Sequence, residues 1–155
     1  MENLILLQRF TAMSVIIKSR LKKIVDNQVI RTHDRHGAGH FGAPRGSRTH
    51  RGIDIVFTAG QNVYSPIDGV VTRRAFPYAD DLRYSGVLIT GNGIWTDFDA
   101  MMFYMTLTAT VGTNIAAGSQ VGIAQDLGTK YPGITNHIHF ELRYNGMVVD
   151  PTHLF

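Results

Sequence analysis

Four side chains able to bind a metal or move a proton fall into two close pairs. His137 and His139 stand one residue apart in the run Asn136-His137-Ile138-His139-Phe140-Glu141. A strand alternates its side chains, so a strand here would point both imidazoles at one face. His50 and Asp54, in His50-Arg51-Gly52-Ile53-Asp54, form the second pair. Their even spacing also returns both side chains to one side, in extended backbone or in a single helical turn. Together the pairs offer the nitrogen and carboxylate donors that zinc takes. Each pair alone is weak: with seven His and ten Asp in 155 residues, chance gives roughly 0.3 His-x-His and about 0.5 His-x-x-x-Asp. Neighbouring motifs must decide whether the pairs belong together.

The chain has no cysteine. Thiolate ligands, disulfides and a cysteine nucleophile are excluded, and any zinc rests on His and carboxylate. At 155 residues, 44% hydrophobic and 17% charged, the chain can bury one ordinary core and carry an added segment. The net charge of +3 is unevenly placed. Arg9, Lys18, Arg20, Lys22, Lys23 and Arg31 face only Glu2 and Asp26 within residues 1–31, whereas the rest of the chain carries nine basic and ten acidic groups. The pI near 9.4 therefore reports on the leader and not on a basic domain surface. No aromatic-basic interleaving accompanies it, so nucleic acid is not an expected partner.

Residues 4–17 are apolar in part, but Arg9 interrupts them and the cations follow instead of leading. No small-residue cleavage site is evident, so a standard signal peptide is not expected. No stretch approaches the ~18 to 20 apolar residues of a membrane span, and no transmembrane segment is expected.

From Asn3 to about Val29 the apolar residues Leu6, Phe10, Met13, Ile17, Leu21, Ile24 and Val25 recur at intervals of three or four. That spacing predicts an amphipathic N-terminal α-helix, packed on the domain or serving as a docking segment for a carrier. Gly37, Gly39, Gly42, Pro44, Gly46 and Gly52 then punctuate a loop leading to the first metal pair. Predicted strands are Ile53 to Phe57, Gly69 to Phe76, Gly86 to Thr90, Met101 to Leu107, Gln120 to Ala124 and Asn136 to Tyr144, with a return from Met147 to Val149. Turn signals at Asp68-Gly69, Gly91-Asn92-Gly93, Tyr131-Pro132-Gly133 and Asn145-Gly146 separate them. The expected fold is mainly β, an antiparallel sheet or sandwich, with a helical segment over 1–31 and one domain over 32–155.

In order along the chain, these motifs resemble the M23 zinc metallopeptidases, the lysostaphin-like group. They begin with Phe41-Gly42, Arg45, His50-Arg51-Gly52-Ile53-Asp54-Ile55 and Ala59-Gly60-Gln61-Asn62-Val63-Tyr64-Ser65-Pro66. They continue with Asp68-Gly69-Val70-Val71, Ala117-Gly118, Val121-Gly122, His137-Ile138-His139-Phe140-Glu141-Leu142-Arg143 and Val149-Asp150-Pro151. The resemblance covers residues 40–155. A second set, Asp34-Arg35-His36-Gly37, Met102-Phe103-Tyr104 and Tyr131-Pro132-Gly133-Ile134, is similar to the leukocyte cell-derived chemotaxin branch of the same fold, a zinc-binding signalling module. The cysteines characteristic of that secreted branch are missing here.

The resemblance implies a zinc metalloendopeptidase that hydrolyses amide bonds in bacterial peptidoglycan cross-link peptides. It implies His50, Asp54 and His139 as metal ligands, with a fourth position left for water, and His137 as catalytic base. Such a substrate lies outside the cytoplasm, so action in the periplasm or cell wall is expected. Without a signal peptide, export by a dedicated carrier that engages the N-terminal helix is expected, or the chain is a fragment. The alternative is a catalytically silent zinc-binding module for binding or signalling. A second catalytic His normally comes from a Tyr-x-His-Leu run, and here the aligned run is Tyr104-Met105-Thr106-Leu107. Thr106 in that place can donate a hydrogen bond but cannot act as a base. His36 and His40 are candidates for a replacement imidazole, and Glu141 for a group that orients a ligand imidazole. His33 and His153 read as ordinary exposed residues, and Trp95, Phe98, Phe103 and Tyr104 as core or cleft wall.

Overall fold

A computed structural model describes residues 20–155. Twelve strands follow in chain order, β1 (Pro44–Arg45), β2 (Arg48–Thr49), β3 (Ile53–Val56), β4 (Asn62–Tyr64), β5 (Gly69–Ala75), β6 (Gly86–Gly91), β7 (Phe98–Phe103), β8 (Met105–Leu107), β9 (Asn114–Ile115), β10 (Gln120–Ala124), β11 (His137–Tyr144) and β12 (Met147–Val149). A seven-stranded sheet runs β12-β11-β7-β6-β5-β9, with β3 also paired to β11, and a three-stranded sheet runs β4-β10-β8. Every pairing is antiparallel. The core between them is aliphatic and aromatic, with Ile53, Ile55, Val87, Ile89, Met102, Ile138, Phe140 and Leu142 buried.

The strand β11 is the backbone of the site. Its first half, His137 to Phe140, pairs with β3, and its second half pairs with β12, both on the edge away from β7. Asn145-Gly146 links β11 to β12 with positive φ at both residues, 47° and 78°, the conformation that makes this dipeptide the preferred hairpin turn. On its other edge β11 pairs with β7 only as far as His139↔Phe103. There the chain kinks at Tyr104, whose φ is 71°, and continues as β8 in the small sheet. The site opens where β7 leaves one sheet for the other.

The expected N-terminal helix fails over its described part. Its residues 3–19 lie outside the described residues, and residues 20–29 contain no helix. Leu21, Ile24 and Val25 are buried as expected, but as inserts of a turning chain. Backbone partners come from distant segments: Leu21 N–H donates to Leu154 at 2.8 Å, Lys22 N–H to Pro66 at 2.9 Å, and Ile24 carbonyl accepts from Tyr64 at 3.0 Å. Tertiary bonds replace the i to i−4 ladder that the apolar spacing predicts. The expected single strand from Met101 to Leu107 is two strands, divided by the kink at Tyr104.

Candidate metal centre

Asp54 on β3 lies directly across from His139 on β11 in the strand register. His50 arrives from the loop after β2, where its N–H donates to the Ala43 carbonyl at 2.8 Å. Gly52 lets that loop pass β11, because a Cβ there would collide with the Phe140 carbonyl. Three atoms converge: His50 Nε2 stands 2.9 Å from His139 Nδ1, and Asp54 Oδ1 stands 3.1 Å from each. Among the described residues these three side chains form a group able to hold a metal ion.

The outer nitrogens decide what this triangle needs. His50 Nδ1 lies 2.8 Å from the His40 carbonyl, which only accepts, so the imidazole N–H is there and Nε2 presents a lone pair. His139 Nε2 lies 3.3 Å from Glu141 Oε1. Burial opposes ionisation of Glu141, but bonds to His139 and to Arg143 outweigh it and hold its pKa at about 2. Glu141 is therefore an acceptor, His139 carries its N–H on Nε2, and Nδ1 presents a second lone pair. With neutral rings, two imidazole lone pairs and a carboxylate oxygen meet with no proton between them, which requires a cation. Four ligands around tetrahedral zinc lie about 3.3 Å apart, a few tenths of an ångström wider than this triangle. In the absence of an ion a shared proton takes that place. Burial disfavours charge on His139, yet its bonds to Asp54 and Glu141 raise its pKa.

Asp54 stays ionised. In the ion-free site burial works against it, but hydrogen bonding with His139 and His50 through the shared proton, together with the charges around it, holds its pKa well below the carboxylate range. Its outer oxygen Oδ2 accepts from Arg31 Nη2 at 2.9 Å and Nε at 3.2 Å, and Arg45 Nη2 lies 3.5 Å away.

His137 sits on the same face as His139 but outside the triangle. Its Nδ1 lies 2.7 Å from the Thr135 carbonyl and so carries the N–H. Its Nε2 is then a lone pair, 3.7 Å from Asp54 Oδ2, beside a cavity of about 400 Å³ that His50, Asp54, His137 and His139 all line. Burial, which outweighs the nearby Asp54 charge, lowers its pKa and keeps the ring neutral. That is the state a base requires.

The facing wall departs from expectation. Thr106 is exposed and lines a separate surface cavity with Arg83, Tyr84, Gln125 and Asp126. The residues in the metal cavity are instead Tyr78, Tyr104 and Tyr131. Tyr78 Oη bonds Tyr104 Oη at 3.0 Å and Tyr131 Oη at 2.8 Å. Three hydroxyl protons serve two contacts, so one is left to donate to a ligand. Burial foremost raises the pKa of Tyr78 and of Tyr104, so both are donors and not bases. The edge of Tyr104 meets the His137 ring at 5.5 Å between centroids, and Phe103 stacks on His139. The positive φ at Tyr104 re-aims its side chain, which strand alternation alone could not reveal.

His36 lines the cavity, with Nε2 donating to the Pro132 carbonyl at 2.9 Å. His40 is exposed and contributes its carbonyl to His50. Glu141 bonds His139 on one side, as expected of an orienting group, and Arg143 at 2.8 Å on the other. His33 and His153 are exposed, Trp95 and Phe98 are core. Arg31, which sequence placed in the charged leader, is the residue that reading missed.

Comparison with known proteins agrees with this architecture. The model for Peptidase family M23 matches residues 48–151. Leukocyte cell-derived chemotaxin-2 of Bos taurus is 36% identical over 124 residues, covering 79% of this chain and 77% of the relative. The Mus musculus protein is 33% identical, covering 72% of each chain. Among solved structures, Helicobacter pylori Csd3 superposes with a TM-score of 0.63 at 19% identity, over 88% of this chain and 35% of that one. The catalytic domain of lysostaphin from Staphylococcus simulans gives 0.57 at 20% identity, over 74% of this chain and 86% of that one. These structural likenesses establish a shared fold, and this chain spans about a third of Csd3.

Proposed function

Since the chain belongs to peptidase family M23, we propose that it is a zinc metalloendopeptidase that hydrolyses an amide bond in peptidoglycan cross-link peptides. The observation that carries this reading is the convergence of His50 Nε2, His139 Nδ1 and Asp54 Oδ1 within 3.1 Å of one another, with His137 on the same cavity. His50, Asp54 and His139 hold the zinc, which supplies Lewis acidity toward the amide carbonyl and the attacking water.

His137 does the proton work. Its Nε2 takes a proton from water in the cavity and returns it to the departing amine, while the Thr135 carbonyl holds the ring by Nδ1–H. The hydroxyls of Tyr78, Tyr104 and Tyr131 offer the surplus proton to the oxygen that gains negative charge. Glu141 and the His40 carbonyl orient the two ligand imidazoles. Phe103 and Leu127 give the cavity apolar wall. The substrate lies outside the cytoplasm, so this reading includes delivery to the periplasm or cell wall, with the N-terminal segment ahead of the packed residues Leu21 to Arg31 as the element a secretion partner engages.

A second reading is a catalytically silent zinc-binding module for binding or signalling. It is favoured by the phenolic wall, where tyrosines stand in place of the expected histidine, and by the resemblance to chemotaxin-2. Digestion of purified sacculi from several wall types by the zinc-loaded chain separates the two. The peptidase reading expects released muropeptides and a loss of about 10²- to 10⁴-fold in His137→Ala. Zinc binding with no release above that variant rejects it in favour of the silent module.

A further inference from the structure

We propose that Arg31 and Asp34 form a buried clamp that sets the metal carboxylate and the His137 ring relative to each other. The functional unit then begins at Arg31 and not at residue 48, where the family match starts. The inference rests on the zinc-centre reading above, but not on hydrolysis.

Arg31 is only 3% exposed. A guanidinium this deep persists where carboxylates and carbonyls take its N–H groups. Here Nε and Nη2 both donate to Asp54 Oδ2, at 3.2 and 2.9 Å. Nη1 donates to Asp34 Oδ2 at 2.8 Å and to the Gly37 carbonyl at 2.9 Å. Asp34 Oδ2 also accepts the Thr135 N–H at 2.9 Å, and the Thr135 carbonyl takes the His137 Nδ1–H at 2.7 Å. One path thus runs from Asp54 through Arg31, Asp34 and Thr135 to His137, joining β3 to the loop that leads into β11 and its first residue.

The backbone is tied at the same place. Arg31 N–H donates to the Asp54 carbonyl at 2.7 Å, Asp54 N–H to Gly39 at 2.8 Å, and Gly39 N–H to Arg31 at 3.1 Å. A Cβ on Gly39 would lie 2.7 Å from Arg31 Cβ and 2.9 Å from Asp54 Cβ, so glycine lets the segments meet. The planar fork of Arg31 engages Oδ2 and leaves Oδ1 to face His50 and His139. Rotating the carboxylate to offer both oxygens to one ion breaks both arginine bonds. A lysine keeps the charge but not the fork.

The test uses the full chain, freed of metal and titrated with zinc against a chromogenic chelator, with cobalt(II) as a spectroscopic probe. Arg31→Met should weaken zinc binding by about 10- to 100-fold and shift the visible cobalt bands, with Arg31→Lys recovering only part of the affinity. Asp34→Ala in the zinc-loaded chain should speed Thr135 amide exchange by about tenfold or more, and Asp34→Asn, which keeps an acceptor, should reverse much of that. A folded Arg31→Met with zinc affinity within about twofold of wild type and unchanged cobalt bands overturns the clamp. If that variant does not fold, Arg31→Lys decides, and wild-type affinity and cobalt bands there overturn it. Unchanged Thr135 exchange in Asp34→Ala overturns the link to His137. A wild type that binds zinc but cleaves no wall leaves the clamp standing and rejects only the peptidase reading, whereas one that binds no zinc overturns both.

Discussion

The two walls of the metal cavity are built by different physics. On one side His139, Asp54 and His137 hang from paired strands, so register and side-chain alternation place them. On the other, Tyr104 reaches the cavity through a kink, and Tyr78 and Tyr131 come from loops. The strand wall carries lone pairs and a carboxylate; the kinked wall carries hydroxyl donors. The proposed function therefore assigns a cation and a base to the first wall, and ligand polarisation to the second.

Breaking the strand wall should have the largest effect. Asp54→Ala or His139→Ala removes a proposed ligand and should reduce zinc affinity by more than the ~10- to 100-fold typical of an outer contact, measured by chelator competition. Glu141→Gln touches only the orienting contact to His139 and should fall within about 10- to 100-fold. On the kinked wall, Tyr104→Phe should cost about 3- to 10-fold in turnover or in affinity for a zinc-binding hydroxamate, as the loss of one hydrogen bond. The smallest effect belongs to Thr106→His. Because Thr106 faces another cavity, the new imidazole should change sacculus hydrolysis by less than about twofold, and a large gain would show that the kink does not set this wall.

Acid should loosen the strand wall as well. Glu141 is held at about 2 against an ordinary value of 4.5. A lowered carboxylate pKa stabilises the fold above the ordinary value, and that contribution disappears as pH falls through the folded value. The melting temperature of the metal-free chain should therefore drop between pH 4.5 and about 2, and Glu141→Gln should flatten that drop.

What was legible in the sequence follows the same division. The shared strand face of His137 and His139 was readable because alternation is a local rule, His50 and Asp54 joined them through the ordered motifs, and β3, β5, β6, β10, β11 and β12 appear within a residue or so of their predicted bounds. The kink at Tyr104 was not readable, since a residue with positive φ reverses alternation without a glycine to announce it. Thr106 therefore took a place in sequence that it does not hold in space. The leader misled for another reason. Leu21, Ile24 and Val25 have helical spacing, but the backbone partners of Leu21, Lys22 and Ile24 lie at Leu154, Pro66 and Tyr64, and no local pattern encodes such distant bonds. Arg31 looked like one more leader cation because Asp54, the partner that ties it to the site, is 23 residues away.

The most direct test of the centre is anomalous diffraction at the zinc edge from crystals of the full chain grown with zinc. The convergent lone pairs predict one strong peak, about 2.0 to 2.2 Å from His50 Nε2, His139 Nδ1 and Asp54 Oδ1, and no peak there in Asp54→Ala. A zinc-saturated crystal without density at that triangle, or with the ion held elsewhere, would contradict the account.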